Sequence, residues 1–239
     1  DDTEAFEKAV KAYQKIFVPS GRYIVKKKLQ LKPDTKIFGI WGCNIEIPSF
    51  STCDSLNDRS MVAFLNINGN LNWGAGKGSF AFSRAVVNMK PNGGGSFYAL
   101  RRIGPRGENR LFEGTKQDIF IYTLNIERRT RNPQSYIKNA ENIRIYYLKT
   151  EASPRGYSIS GGPHTGNTSL SIIDSKNIKV YAVTGNVLTS DQRPMMLIEN
   201  SENVVISQVK SFKTANFPHI HEKHFGKVSQ IPSGETVAL

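Results

Sequence analysis

Two glutamates, Glu127 and Glu151, are the first residues whose type and spacing could do chemistry. Each lies nine positions after the polar residue of a repeated segment, Asp118 or Asn142, and Asn186 holds the same place after Asn177. If the repeats stack as neighbouring strands, the two carboxylates come to lie side by side. A retaining glycosidase needs such a pair about 5–5.5 Å apart, one as nucleophile and one as acid and base. Like charges held that close also raise the pKa of one partner. The competing reading is an exposed edge on which Glu127 pairs with Arg128 or Arg129, and register alone does not separate the two.

Tyr122, Tyr146 and Tyr181 share a second outward column, where aromatic faces would suit the apolar faces of sugar rings. An aromatic ladder that only packs against itself fits the same column. Elimination on a uronic acid would need a cation for the substrate carboxylate and a base for the adjacent proton. Arg101, Arg102, Arg106, Arg110 and Lys149 supply cations, although scattered basic residues also make an ordinary solvated surface. Arg101, Arg102 and Lys149 join the three tyrosines as candidate substrate-binding residues.

Other groups carry less. His219, His221 and His224 with Glu222 could hold a metal, but histidines near a chain end more often belong to a loose tail. Gly74-Ala75-Gly76-Lys77-Gly78-Ser79 fails as a phosphate loop, because Gly78 follows the lysine and Leu71 stands where the first glycine belongs. No cofactor and no metal site are expected. Lys and Arg number 32 against 20 Asp and Glu, a net charge of +12 that favours acidic partners. Nucleic acid is the weaker of these, since no recognition signature accompanies the charge.

The elements that would position these residues are repeats. Gln117 to Leu124 aligns without a gap on Glu141 to Leu148, and Lys176 to Val183 and Glu202 to Val209 extend the series. Asp118, Asn142, Asn177 and Asn203 mark the steps, of which the first and last are nearly equal and the middle one is longer. That period is in the range of solenoid repeats, and the longer step contains Gly161 to Gly166 as an insertion between rungs. A strand precedes three of the copies, at Tyr136 to Ala140, Ser171 to Ser175 and Leu197 to Ser201. Stacked rungs put Ile119, Ile143, Ile178 and Val204 in an inner column, with Asp118, Asn142, Asn177 and Asn203 at a corner. The fold class is therefore all-β, a right-handed parallel β-helix with a short N-terminal helix over residues 1–15. A leucine-rich horseshoe has a similar period but needs repeated leucines.

Residues 111–212 read as regular rungs, and the Gly-, Asn- and Arg-rich segment 50–110 as loop-rich insertions. The whole of 1–239 reads as one domain. Cys43 and Cys53 fit either a local disulfide or two free thiols. No apolar run is long enough to span a bilayer, and Asn167-Thr168-Ser169 is a glycosylation sequon.

Asp1 to Ala9, Ile16-Phe17-Val18-Pro19-Ser20-Gly21-Arg22-Tyr23 and Leu29 to Ile37 together resemble the opening of the pectate lyase superfamily. They are most similar to the modules of glycoside hydrolase family 55 and related tail-spike depolymerases. In that family the acidic pair and threonine follow a Gly-Asp-Gly segment, so this chain begins inside the motif and is expected to be short at its N-terminus. The resemblance implies a helix over the open end of a β-helix, a secreted protein, and a second β-helix as partner domain or chain. The expected function is a polysaccharide-active protein, with glycoside hydrolysis ahead of β-elimination on an acidic glycan. The competing class is a non-catalytic glycan-binding or structural module.

Overall fold

The computed structural model describes residues 1–40, 42–102, 110–127, 135–151, 168, 170–186, 196–211, 220–223 and 228–231. The chain opens on a helix, Thr3–Ala12, whose apolar side buries Phe6 and Val10. Phe6 meets Tyr23 edge-on at 5.6 Å and Phe50 at 6.5 Å, which seats the helix on the first strands. Asp2 fixes the entry: its backbone N–H donates to the Ile24 carbonyl and its carboxylate accepts from the Ile24 N–H, both at 2.8 Å.

Beyond the helix the regular elements among the described residues are β-strands, and the paired strands are parallel. Among the described residues ten strands form one sheet, from Lys15–Val18 through Gly95–Tyr98, Ile119–Ile121, Glu141–Ile145 and Lys176–Val180 to Val228–Ile231. Between visits to it the chain contributes to smaller sheets. Gly21–Ile24, Cys43–Ser51, Asn66–Trp73 and Arg84–Met89 form one, with Leu29–Gln30 paired to the far part of Cys43–Ser51. Leu100–Arg102, Leu124–Glu127, Leu148–Glu151, Val183–Asn186 and Val209–Ser211 form the next, and Arg110–Glu113, Ser135–Lys138, Leu170–Ile173, Met196–Glu199 and Ile220–Lys223 the last.

Alternation along each strand sends one row inward. Ile119, Ile143, Ile178 and Val204 are in register and wholly buried, as are Ile121, Ile145, Val180 and Ile206. The corners suit asparagine because the backbone there is left-handed: Asn142, Asn177 and Asn203 have φ of 61°, 57° and 53°. Their amides form a ladder, Asn203 Nδ2 donating to Asn177 Oδ1 at 2.7 Å and Asn177 Nδ2 to Asn142 Oδ1 at 3.0 Å. Asp118 does not share that backbone, so Asn142 Nδ2 turns to the Lys116 carbonyl instead. Gly114, Asn139, Asp174 and Asn200 make a second left-handed corner. Beside it Ser201 Oγ accepts from the Ser175 N–H and Ser175 Oγ from the Ala140 N–H.

The segment 50–110 corrects the expectation of loop-rich insertions. It contains Met61–Ala63, Asn66–Trp73, Ser79–Ala81, Arg84–Met89, Gly95–Tyr98 and Leu100–Arg102. Its Trp73, Phe80 and Phe97 are fully buried and in mutual ring contact at 5.5–6.3 Å. Two physical reasons hid it. Val62, Phe80 and Phe97 are in register although closer together in the chain than Phe97, Ile121 and Ile145, so these turns are shorter than the later ones. The glycines mark close approach between turns: a Cβ on Gly76 would lie 2.6 Å from Leu56 Cα.

Cys43 is buried, Cys53 partly so, and both are free thiols. Among the described residues no helix is long and apolar enough to cross a membrane.

Candidate functional site

Glu127 and Glu151 are direct Cα partners on neighbouring parallel strands, and Glu151 pairs in turn with Asn186. Parallel neighbours stand about 4.8 Å apart, which sets the backbone separation of the two glutamates. Two residues earlier, Asn125, Lys149 and Thr184 form the preceding outward row, and buried Ile126 and Thr150 separate the two rows. Tyr147 donates to or accepts from Thr184 Oγ1 at 2.8 Å beside that row.

The expected tyrosine column is longer than the sequence reading made it. Tyr98, Tyr122, Tyr146 and Tyr181 stack with ring centroids 4.6, 5.2 and 5.4 Å apart and planes within 18°. Tyr98 was missed, although it precedes Tyr122 by the same interval that separates Tyr122 from Tyr146. Within this stack each interior ring face is covered by its neighbour, so Tyr122 and Tyr146 offer edges and hydroxyls to a ligand, not the faces a sugar ring would stack on. Burial pushes the Tyr122 phenol up, with Tyr98 and Tyr146 adding to it. A phenol shifted that way is a poor base for proton abstraction.

Arg101 is in register with Asn125 and Lys149, whereas Arg102 is in register with the core residue Ile126. Arg106 lies outside the described residues, as do His219, His224, Arg128, Arg129, Asn167 and Ser169. Among the described residues no three His, Cys, Asp or Glu side chains come together as a metal set.

The structure adds a groove that the sequence did not point to. It holds about 590 Å³ and is lined by Arg22, Asn44, Glu46, Asn66, Asn68, Asn70 and Arg84, with Gly69 and Val86. Its size is that of a small-molecule or oligomer subsite. The cause is local. Register shifts between Glu46 and Ser49, and again between Asn66 and Asn70, bend two adjacent long strands at the same level. Gly69 sits in the bend because a Cβ there would fall 1.8 Å from the Ile47 carbonyl oxygen.

Across the groove Arg22, Asn44, Asn66 and Arg84 are in register on four successive strands. Arg22 Nη2 pairs with Glu46 Oε2 at 3.3 Å, and Asn66 Nδ2 donates to Asn44 Oδ1. Asn70 Nδ2 donates to the Pro48 carbonyl at 3.3 Å, and Asn70 Oδ1 accepts from Asn88. The site thus offers amide donors and acceptors flanked by guanidinium groups. The step from Asn66 to Arg84 is shorter than the two before it, so the row keeps no fixed period and a repeat search passes over it.

Arg84–Met89, the last strand of the groove sheet, lies against Leu100–Arg102, the first strand of the sheet that carries Glu127 and Glu151. Groove and glutamate pair therefore belong to consecutive sheets. Comparison of the chain with family models, with curated proteins and with solved structures gave no match.

Proposed function

We propose that the parallel sheets are the faces of a right-handed parallel β-helix, each turn adding one strand to a face, and that the protein is an extracellular polysaccharide-active enzyme hydrolysing glycosidic bonds. The observation that carries the reaction is the pairing of Glu127 with Glu151 on adjacent strands. A separation near 4.8 Å between their backbones is compatible with the spacing of a retaining carboxylate pair and leaves little room for the intervening water of an inverting one. In this reading one glutamate attacks the anomeric carbon while the other protonates the departing oxygen, and the second then activates water to release the glycosyl group.

The amide-lined groove on the preceding sheet favours a second reading, a glycan-binding module without turnover. Hydroxyl-rich ligands need many donors and acceptors and no catalytic group. The raised Tyr122 phenol counts against elimination with that residue as base.

The test is a reducing-end assay on a panel of neutral and acidic polysaccharides, with ultraviolet absorbance followed in parallel. New reducing ends without unsaturated sugars are expected. Glu127→Gln and Glu151→Gln should each lower turnover by about 10²-fold or more, the scale set by loss of acid, base or nucleophile. Full activity in either variant removes the pair from the mechanism, and products from neither variant nor parent leave the binding module.

A further inference from the structure

One edge of the ten-stranded sheet is aromatic on each of its first eight strands. Phe17 and Phe38 hold the same register position as Tyr98, Tyr122, Tyr146 and Tyr181. On the two strands between, that position is Ala63 and Ala81, and the ring comes one residue later, at Phe64 and Phe82. Seven steps of strand spacing make this edge roughly 34 Å long.

The Phe64 and Phe82 pair is costly as structure alone. Both rings are exposed, at 51% and 61%, and they stack within 8° at 5.3 Å. Both residues have left-handed backbone, φ 56° and 47°, where the two polar corners described above use asparagine, aspartate or glycine. A bulky residue is strained there, and asparagine would hold the same turn without an exposed ring.

Positive charge lies beside the rings. Two residues earlier on each strand runs a second outward row, in which Lys15, Lys36, Arg144 and Lys179 are charged and no carboxylate occurs. Lys15 and Lys36 are direct partners on adjacent strands, an arrangement that repels. Arg144 reaches Asp118 at 3.8 Å, whereas among the described residues no carboxylate pairs with Lys15, Lys36 or Lys179. Elsewhere Lys8, Lys26, Lys27, Lys116 and Lys176 each pair with an acid.

We propose that this face of the ten-stranded sheet docks on an anionic lipid bilayer, with the cationic row against the phosphate headgroups and the aromatic edge at the boundary below them. Unpaired lysines near an acidic bilayer each add to the attraction. Aromatic rings, some with a hydroxyl, suit a boundary that is apolar on one side and wet on the other. A second copy of the chain would bring lysine against lysine across a two-fold axis. Single-stranded nucleic acid calls for open ring faces, and these rings cover one another. A folded protein partner needs matching relief, which a fluid bilayer does not. The face is separate from the glutamate pair, which belongs to another sheet.

The full chain is sedimented with vesicles of phosphatidylcholine alone and of phosphatidylcholine mixed with phosphatidylglycerol, at low and at physiological salt. It should bind the anionic vesicles and weaken with salt. Lys15→Gln with Lys36→Gln should lower that affinity at least about tenfold. Lys26→Gln with Lys27→Gln removes the same charge from residues already paired with Asp1 and Glu7, and should stay within about twofold. Phe64→Asn with Phe82→Asn should lower the affinity about tenfold by removing apolar area from the contact. The melting temperature of that variant should hold or rise, because asparagine fits the left-handed corner. Equal binding to the neutral vesicles, an equal loss from the Lys26 and Lys27 variant, or full binding by the asparagine variant overturns the proposal. So does a failure to bind either vesicle, which would leave an acidic protein as the partner of this face.

Discussion

Asn177 shows at one residue why the corners of this structure are polar. It carries a left-handed backbone, accepts from Asn203 and donates to Asn142. Alanine there keeps the strain and loses both bonds, so Asn177→Ala should cost about 2 kcal/mol in urea unfolding. Asn177→Gly relieves the backbone and should recover about half of that. Tyr122 makes a different kind of prediction. Burial raises its phenol above the ordinary value of 10.0, so the folded state holds the proton more tightly than the unfolded chain. The resulting stability is complete below pH 10 or so and is lost as pH rises through the folded value. Tyr122→Phe should therefore flatten the fall in melting temperature between about pH 9 and 11 relative to the parent. An unchanged slope would mean the stack does not hold the proton.

At the level of elements, the bent pair of strands Cys43–Ser51 and Asn66–Trp73 decides where the groove lies. Gly69→Ala forces a Cβ against the Ile47 carbonyl, which is backbone and must move. It should cost more than the usual 1 kcal/mol or so of a glycine-to-alanine conflict and should weaken oligosaccharide binding, read by unfolding and by titration on the same sample. Trp73, fully buried and donating from Nε1 to the Gly94 carbonyl at 2.9 Å, anchors the same turn from inside. Trp73→Ala should cost about 3–5 kcal/mol. These elements were the least legible in the sequence. Ile119, Ile143, Ile178 and Val204 could be aligned because their turns keep a polar corner and a long period. Trp73, Phe80 and Phe97 could not, because the turns shorten and their left-handed corners fall on Phe64, Phe82 and Ala99 instead of on asparagine. The glutamate register was readable by counting forward from each repeat. The row from Arg22 to Arg84 needed the bends as well, and a bulge leaves no spacing to count.

Over the whole molecule, the rows that matter run across strands, not along them. Residues brought together by stacking are far apart in the chain, and an outward position is repeated wherever the register holds. That geometry suits an extended polymer laid across the strands more than a compact ligand held in one loop. If Glu127 and Glu151 are the catalytic pair proposed above, their place on adjacent strands calls for a covalent glycosyl intermediate and retention of configuration. The most direct measurement is the anomeric configuration of the first product, followed by proton NMR during hydrolysis of a defined oligosaccharide. Retention of configuration, lost with Glu127→Gln or Glu151→Gln, is the expected result. Inversion, or cleavage that survives both substitutions, would contradict catalysis by this pair.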